Sequence, residues 1–245
     1  MASDTEAEPL APLDPAIEKV EFKLTVLAGD ESKVQAVLKK AGVSPQRRKV
    51  YFYDTKDLAL DAEKLILRAR VTQGDDDDST VKLRPVDLAT WRPVDGATIE
   101  LDVVGSRRVL SAKLDGEPDP GEIEAVEAGT RSLGSLFSKK QERFIDEYAP
   151  DGISLDDLKV LGPVDARKWE LEKPHGFPHK LSVEEWALPD ATRFIELSFK
   201  VSPAEAEDAR TAFRALLAEL DIDATGDQSQ KTPRVLKFFA DRLPD

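Results

Sequence analysis

Between residues 17 and 27 polar and apolar positions alternate. Lys19, Glu21, Lys23 and Thr25 fall on one side, Val20, Phe22, Leu24 and Val26 on the other, which predicts a strand with one charged and one apolar face. A short helix follows, with Val34, Val37, Leu38 and Ala41 at helical spacing. Ser32 and Gln35 stand in the places of a capping box, and Gly42 with Pro45 ends the helix. Strand patterns recur over 49–54, 65–71, 80–84, 98–104 and 137–146, with turn residues between them as in Arg92-Pro93-Val94-Asp95-Gly96. A connecting helix is expected over 121–136, then further strands at 154–160, 169–172, 181–188 and 193–201. Ser202, Pro203 and Glu205 signal a helix start (cap, first-turn proline, third-position acid), and the stripe Ala206, Ala209, Phe213, Leu216, Leu217, Leu220 follows. Thr232-Pro233 opens a last helix carrying Val235, Leu236 and Phe239. Residues 1–16 show no apolar period and read as a flexible leader, leaving 17–245 as one domain without internal repeats. Many short strands with few helices predict an α+β domain built on one closed or nearly closed antiparallel sheet.

The charges on these strands fall in register. Arg68 and Arg70 alternate with Leu67, Ala69 and Val71; Lys82 and Arg84 with Val81 and Leu83; Glu100 and Asp102 with Ile99, Leu101 and Val103. Glu196, Ser198 and Lys200 alternate with Ile195, Leu197, Phe199 and Val201. Successive strand side chains point to opposite faces, so each segment separates its apolar set from its charges. With Lys19, Glu21 and Lys23 included, the charged faces hold seven basic and four acidic residues, whereas the whole chain of 245 residues has a net charge of −13. The pattern alone fits a sheet with a solvated outer face. It also fits a curled sheet whose apolar face packs outward under helices and whose charged face lines a cavity. Such a cavity suits a compact polyanion, because guanidinium forks and ammonium groups grip phosphate oxygens. Its carboxylates would bring in Mg²⁺ or Mn²⁺. A barrel for apolar ligands would need Arg68 and Lys82 to point outward.

Composition removes other classes. There is no cysteine, hence no disulfide, thiolate metal site or cysteine nucleophile. No apolar run approaches a membrane span, the acidic start lacks a signal-peptide flank, and the net charge argues against nucleic acid, so a cytoplasmic protein is expected. The phosphate loop Gly-x₄-Gly-Lys-Ser/Thr is missing, which excludes a P-loop nucleotidase. His175 and His179 lie among Pro174, Gly176 and Pro178 and read as loop residues, and Asp75–Asp78 reads as a solvated hairpin loop. Trp91, Trp169 and Trp186 read as packing residues, while Lys231 fits either a tunnel mouth or a plain surface.

Several motifs, in order, resemble the CYTH superfamily, the triphosphate tunnel metalloenzymes that include class IV adenylate cyclases and thiamine triphosphatases. Val20-Glu21-Phe22-Lys23 is similar to the second half of the Glu-x-Glu-x-Lys signature, and Tyr51-Phe52-Tyr53-Asp54-Thr55 to the Tyr-x-Asp-Thr segment. Leu67-Arg68-Ala69-Arg70, Val81-Lys82-Leu83-Arg84, Glu100-Leu101-Asp102 and the 194–200 strand with Glu196 resemble the later basic and acidic strands. The resemblance implies an eight-stranded antiparallel β-barrel, or tunnel, with peripheral helices, acting as a metal-dependent phosphohydrolase on inorganic triphosphate or a triphosphate-bearing organic molecule. Members also include cyclases, so a cyclase-like activity stays open beside a polyanion-binding module without turnover. By position Lys23, Arg68, Arg70, Lys82, Arg84 and Lys200 become phosphate ligands, with Arg143 from the Lys139–Arg143 stretch. Glu21, Glu100, Asp102 and Glu196 become ligands of Mg²⁺ or Mn²⁺. The resemblance calls for no side-chain nucleophile: water activated by the metal attacks phosphorus, with Glu21 and Lys23 in support. Lys19 stands where the first signature glutamate belongs, adding a cation that favours polyanion binding over metal binding; Glu18, one residue away, falls on the opposite face of a regular strand.

Overall fold

The computed structural model describes residues 10, 12–226, 228 and 231–244. Among them nine strands are found: β1 (Ile17–Val26), β2 (Gln46–Asp54), β3 (Leu65–Thr72), β4 (Asp78–Leu83), β5 (Thr98–Val104), β6 (Arg107–Gly116), β7 (Lys159–Leu171), β8 (Leu181–Ala187) and β9 (Arg193–Val201). The helices are α1 (Glu31–Ala41), α2 (Ala59–Ala62), α3 (Glu122–Glu127), α4 (Lys139–Tyr148), α5 (Ala206–Glu219) and α6 (Lys231–Ala240). The strands close into one barrel in the order β1-β5-β6-β4-β3-β2-β7-β8-β9. All neighbours are antiparallel except β1 and β5, which run parallel. The expected eight antiparallel strands are thus corrected to nine in a mixed sheet. The chain leaving β4 returns as β5 beside β1, and β6 folds back by a tight turn at Gly105 (φ +60°) into the place between β5 and β4.

Two further elements differ from the pattern reading. Residues 139–148 form helix α4 rather than a strand, because Ser138 and Gln141 make a reciprocal capping box and Phe144 and Ile145 face the core. The segments expected at 154–160 and 169–172 give way to a short 3₁₀ turn, Leu155–Asp157, and the single strand β7. Gly162-Pro163 falls where β2 and β7 slip register, a place where a sheet tolerates proline. The helix expected over 121–136 is α3 plus a 3₁₀ turn, Leu133–Leu136. Helix α1 is capped at Asp30, two residues before the expected Ser32. Of the leader expected over 1–16, residues 1–9 and 11 lie outside the described residues, and Leu10 is buried in the outer core.

Strand alternation divides the apolar residues into two cores. The outer faces of the barrel, including Phe22, Leu67, Val81 and Leu101, pack under α1, α3, α4 and α5. Phe199 stacks on Phe22 at 4.9 Å and meets Phe213 of α5 edge-on at 5.0 Å; burying rings of this kind contributes ~1.5–3 kcal/mol each. The second core lies on inner faces: Val50, Phe52, Val164, Ala166, Trp186 and Phe194 pack with Val235 and Leu236 of α6. The barrel interior is therefore apolar beneath α6 and charged beyond it.

Gln141 fastens α4 to the wall. Its fully buried amide donates to the carbonyls of Ser79 (3.3 Å) and Leu114 (3.2 Å), and its oxygen accepts from the Ser138 N–H (2.9 Å). Gln141→Leu leaves those groups unsatisfied in the interior and is expected to cost ~2–4 kcal/mol, read as a lower urea midpoint with an unchanged slope.

Candidate functional site

The charged part of the interior is a cavity of about 1090 Å³. The pairing register fixes how its walls face. Glu21 of β1 lies between Asp102 of β5 and Lys200 of β9; Lys82 of β4 lies between Ile66 of β3 and Lys113 of β6. On the far wall Glu184 of β8 sits between Lys168 of β7 and Glu196 of β9. Of the residues singled out as phosphate ligands, Lys23, Arg68, Arg70, Lys82, Arg84 and Lys200 all line the cavity. Arg68 and Lys82 therefore point inward, and a hydrocarbon-filled interior of the kind an apolar-ligand barrel needs is confined to the end beneath α6.

Asp102 organises one wall. It is completely buried, with the ammonium groups of Lys23 at 3.0 Å and Lys82 at 3.1 Å, the Arg84 guanidinium at 3.2 Å, and the Ser111 hydroxyl donating at 3.2 Å. Burial alone would raise its carboxyl pKa, but Lys23, Lys82 and Arg84 overcome this and hold it far below the ordinary carboxylate range. Glu100 is also buried and accepts from Lys200 through both oxygens, at 2.9 and 3.0 Å. Lys113 stands 3.6 Å from Glu100 and 2.8 Å from Asp115. Burial, with Lys23 close by, pushes the Lys82 ammonium down to about 8 despite its carboxylate neighbours.

The far wall centres on Glu184. Burial works against its charge, yet Lys231 and Arg70 hold it down at about 2. Lys231, at the start of α6, lies inside the cavity rather than on the surface, 3.0 Å from both Glu184 and Glu196 and 4.2 Å from the centre of the Trp186 ring. Arg70 is paired with Asp78 at 2.8 Å, and Arg48 lies 3.7 Å from Glu184.

Arg68 differs from these. Among the described residues it makes no ion pair; one Nη donates to the Thr80 hydroxyl at 3.2 Å, and its buried Nε has no hydrogen-bond partner there. Nε and Nη2 of Arg84 and Nε of Arg48 are likewise buried without hydrogen bonds. Such donors are costly unless something accepts from them.

Two expected ligands are not brought to the cavity. Arg143 is exposed on α4, outside the barrel, because its segment is a helix and not a wall strand. Lys19 pairs in register with Glu100 but is exposed and does not line the cavity. A register shift between Ile17 and Lys19 interrupts the alternation there: Ile17 takes the buried position and Glu18 and Lys19 are both exposed, so Glu18 is not turned into the outer core.

The four carboxylates expected to bind a metal do not form one donor set. Glu21 is 3.0 Å from Lys23, Glu196 is tied to Lys231 on the far wall, and Glu100 and Asp102 are engaged as described. Among the described residues no group of three or more acidic or histidine side chains converges to hold an ion. The arrangement fits ammonium and guanidinium partners, not a resident divalent ion. Of the histidines, His175 contacts Glu219 at 2.7 Å and the His179 ring stacks on Phe199 at 5.8 Å.

Arg48, Asp78, Lys113, Asp115, Lys168 and Glu184 line the cavity without having been singled out from the sequence for this role, and Lys231 takes the first of its two expected places. For Lys113 and Asp115 a signal is present, since they share a face with Ser111.

No protein-family model matches the chain, and no curated protein sequence matches it with significance. Solved structures do match. A candidate adenylate cyclase of Bacillus halodurans superposes with a TM-score of 0.62 at 14% identity, over 89% of this chain and 96% of that one. A candidate adenylyl cyclase of Hippeastrum, described as having a dominant triphosphatase activity, gives 0.63 at 18% identity over 91% and 96%. The likeness is one of fold and spans nearly the whole barrel. No helix among the described residues is long and apolar enough to cross a membrane.

Proposed function

We propose that the barrel binds a triphosphate, free or carried on an organic group, and hydrolyses a phosphoanhydride bond in it. The observation that carries this reading is the set of buried arginine nitrogens on the cavity wall, Nε of Arg48, Nε of Arg68 and Nη2 of Arg84, that have no hydrogen-bond acceptor among the described residues. Phosphate oxygens are the natural acceptors, and Arg70, Lys23, Lys82 and Lys200 stand in the same cavity. In-line attack by water forms one P–O bond and breaks another, with the charge gathering on the leaving oxygen. Fixed cations on the cavity wall stabilise that charge without reorganising. The chain order of the basic and acidic strands, and the triphosphatase activity attributed to the Hippeastrum protein of like fold, support the same reading.

A second reading, anion binding without turnover, is favoured by one observation: Glu21, Glu100, Asp102 and Glu196 are all tied up by cations. Phosphate release from tripolyphosphate, ATP and thiamine triphosphate, measured with and without divalent ions, separates the two. Release from at least one substrate, abolished in Arg68→Ala/Arg84→Ala, is the expected result. No release from any of them, with calorimetric binding retained, establishes the second reading instead.

A further inference from the structure

We infer that the cavity takes its anion without a divalent ion, because the ammonium groups of Lys200 and Lys23 already occupy the places at Glu21, Glu100 and Asp102 that an ion would need. The inference rests on the anion reading above and concerns what neutralises that site. The ion pairs form one continuous chain across four strands. Lys113 of β6 reaches Glu100 of β5, which accepts from Lys200 of β9. Lys200 lies 3.6 Å from Glu21 of β1, which is 3.0 Å from Lys23, and Lys23 is 3.0 Å from Asp102 of β5. A lysine thus bridges each successive pair of carboxylates.

Three physical terms hold the lysines in place. Each ammonium is tethered to the barrel wall, so it competes with a free ion at high effective concentration. Displacing Lys23, whose side chain is largely buried, would leave its cation unpaired at a cost, while the more exposed Lys200 is held by its contacts to Glu100 and Glu21. An arriving Mg²⁺ would also enter a wall that already carries Lys23, Lys82, Arg84, Lys113 and Lys200 against Glu21, Glu100, Asp102 and Asp115. That wall is positive before any ion binds. Mg²⁺ further demands near-octahedral oxygen ligands at ~2.0–2.1 Å, which carboxylates bonded to lysines do not present.

The test uses the full chain. Titration of sodium tripolyphosphate by calorimetry is expected to give binding in EDTA, and in millimolar Mg²⁺ a dissociation constant less than tenfold tighter, since Mg²⁺ held by tripolyphosphate in solution competes with the cavity. Mn²⁺ titrated without anion and followed by electron paramagnetic resonance should remain as the free aquo ion. Lys200→Met uncovers Glu21 and Glu100, and there the same titration should show bound Mn²⁺. A tenfold or greater tightening of tripolyphosphate by Mg²⁺ overturns the inference, as does stoichiometric Mn²⁺ binding by the unmodified chain, which does not depend on the variant folding. Absence of tripolyphosphate binding under every condition would instead overturn the anion reading of the cavity, leaving the Mn²⁺ titration to decide the carboxylates separately.

Discussion

Asp102→Asn is expected to destabilise the barrel by roughly 3–5 kcal/mol at neutral pH, the cost typical of breaking a buried ion pair on one side. The size follows from what the carboxylate holds. Lys23, Lys82 and Arg84 lie within 3.2 Å of it in a fully buried setting, and without its charge they repel one another with little water to screen them. Lys82 is already down at about 8 and would release its proton more readily, so the loss should be greatest from about pH 5 to 7, smaller above pH 8, and smaller again in acid, where the unmodified protein itself gives up the Asp102 contribution. The pH dependence of the unmodified protein follows from the same group. A carboxyl held below its ordinary value contributes stability that is present above the unfolded pKa, near 3.9, and is lost as pH falls through the folded one. Glu184, held at about 2, adds a second contribution that fades between about 4.5 and 2 and is on the order of 3 kcal/mol when complete. Urea midpoints measured from pH 8 to pH 3 should therefore fall along the acid limb, and Asp102→Asn should flatten that limb by the share of one carboxylate. Tripolyphosphate should raise the melting temperature of the variant more than that of the unmodified protein, since it supplies the missing negative charge. A loss below 1 kcal/mol at pH 7 would show that Asp102 does not hold the three cations together.

The strands that were legible in the sequence are those whose two faces differ in kind. In β3, β4, β5 and β9 one face is charged or hydroxylic except at Ile66, Val104 and Phe194, so alternation alone placed Arg68, Lys82, Glu100 and Lys200 on the polar faces of their strands. Strand β2 was legible as a strand but not as a site element. From Val50 onward both of its faces are buried, the outer in the main core and the inner in the plug beneath α6, and this hides the inward direction of Arg48. The segment 137–146 was misread because its apolar residues suit either period over so short a run. The deciding feature was Ser138 with Gln141, a capping box whose glutamine doubles as a buried fastener to β4 and β6. Wall-to-wall relations were out of reach in any case. That Lys231 would bridge Glu184 and Glu196, or that a parallel β1–β5 pair would set Glu21 beside Asp102, depends on register and closure, which local alternation does not encode.

Arg68→Met should act on binding and stability in opposite directions, which distinguishes a ligand-directed cation from a structural one. The guanidinium is buried, pushed down to about 10 by that burial with Arg70 beside it, and among the described residues has only the Thr80 hydroxyl as a hydrogen-bond partner. Replacing it with an apolar chain of similar length removes a charge whose burial outweighs the attraction of Asp78, Glu184 and Asp115, so stability should hold or rise by up to ~1 kcal/mol. Tripolyphosphate affinity should fall about 10- to 100-fold, the equivalent of losing ~1.5–3 kcal/mol of charge-assisted hydrogen bonding. Lys82 adds a pH signature in both proteins. Its ammonium titrates near 8 in the free protein, and a bound anion draws that value up. Binding should then weaken as pH rises through 8, and near pH 8 to 9 it should take up protons, seen as a dependence of the calorimetric heat on the buffer's ionisation enthalpy. The stability term has the other sign: an amine held below its unfolded value favours the folded state increasingly as pH climbs from about 8 toward 10.4. A variant that is destabilised by more than 1 kcal/mol yet binds tripolyphosphate as tightly as the unmodified chain would mark Arg68 as a wall strut and leave the cavity without its central anion ligand.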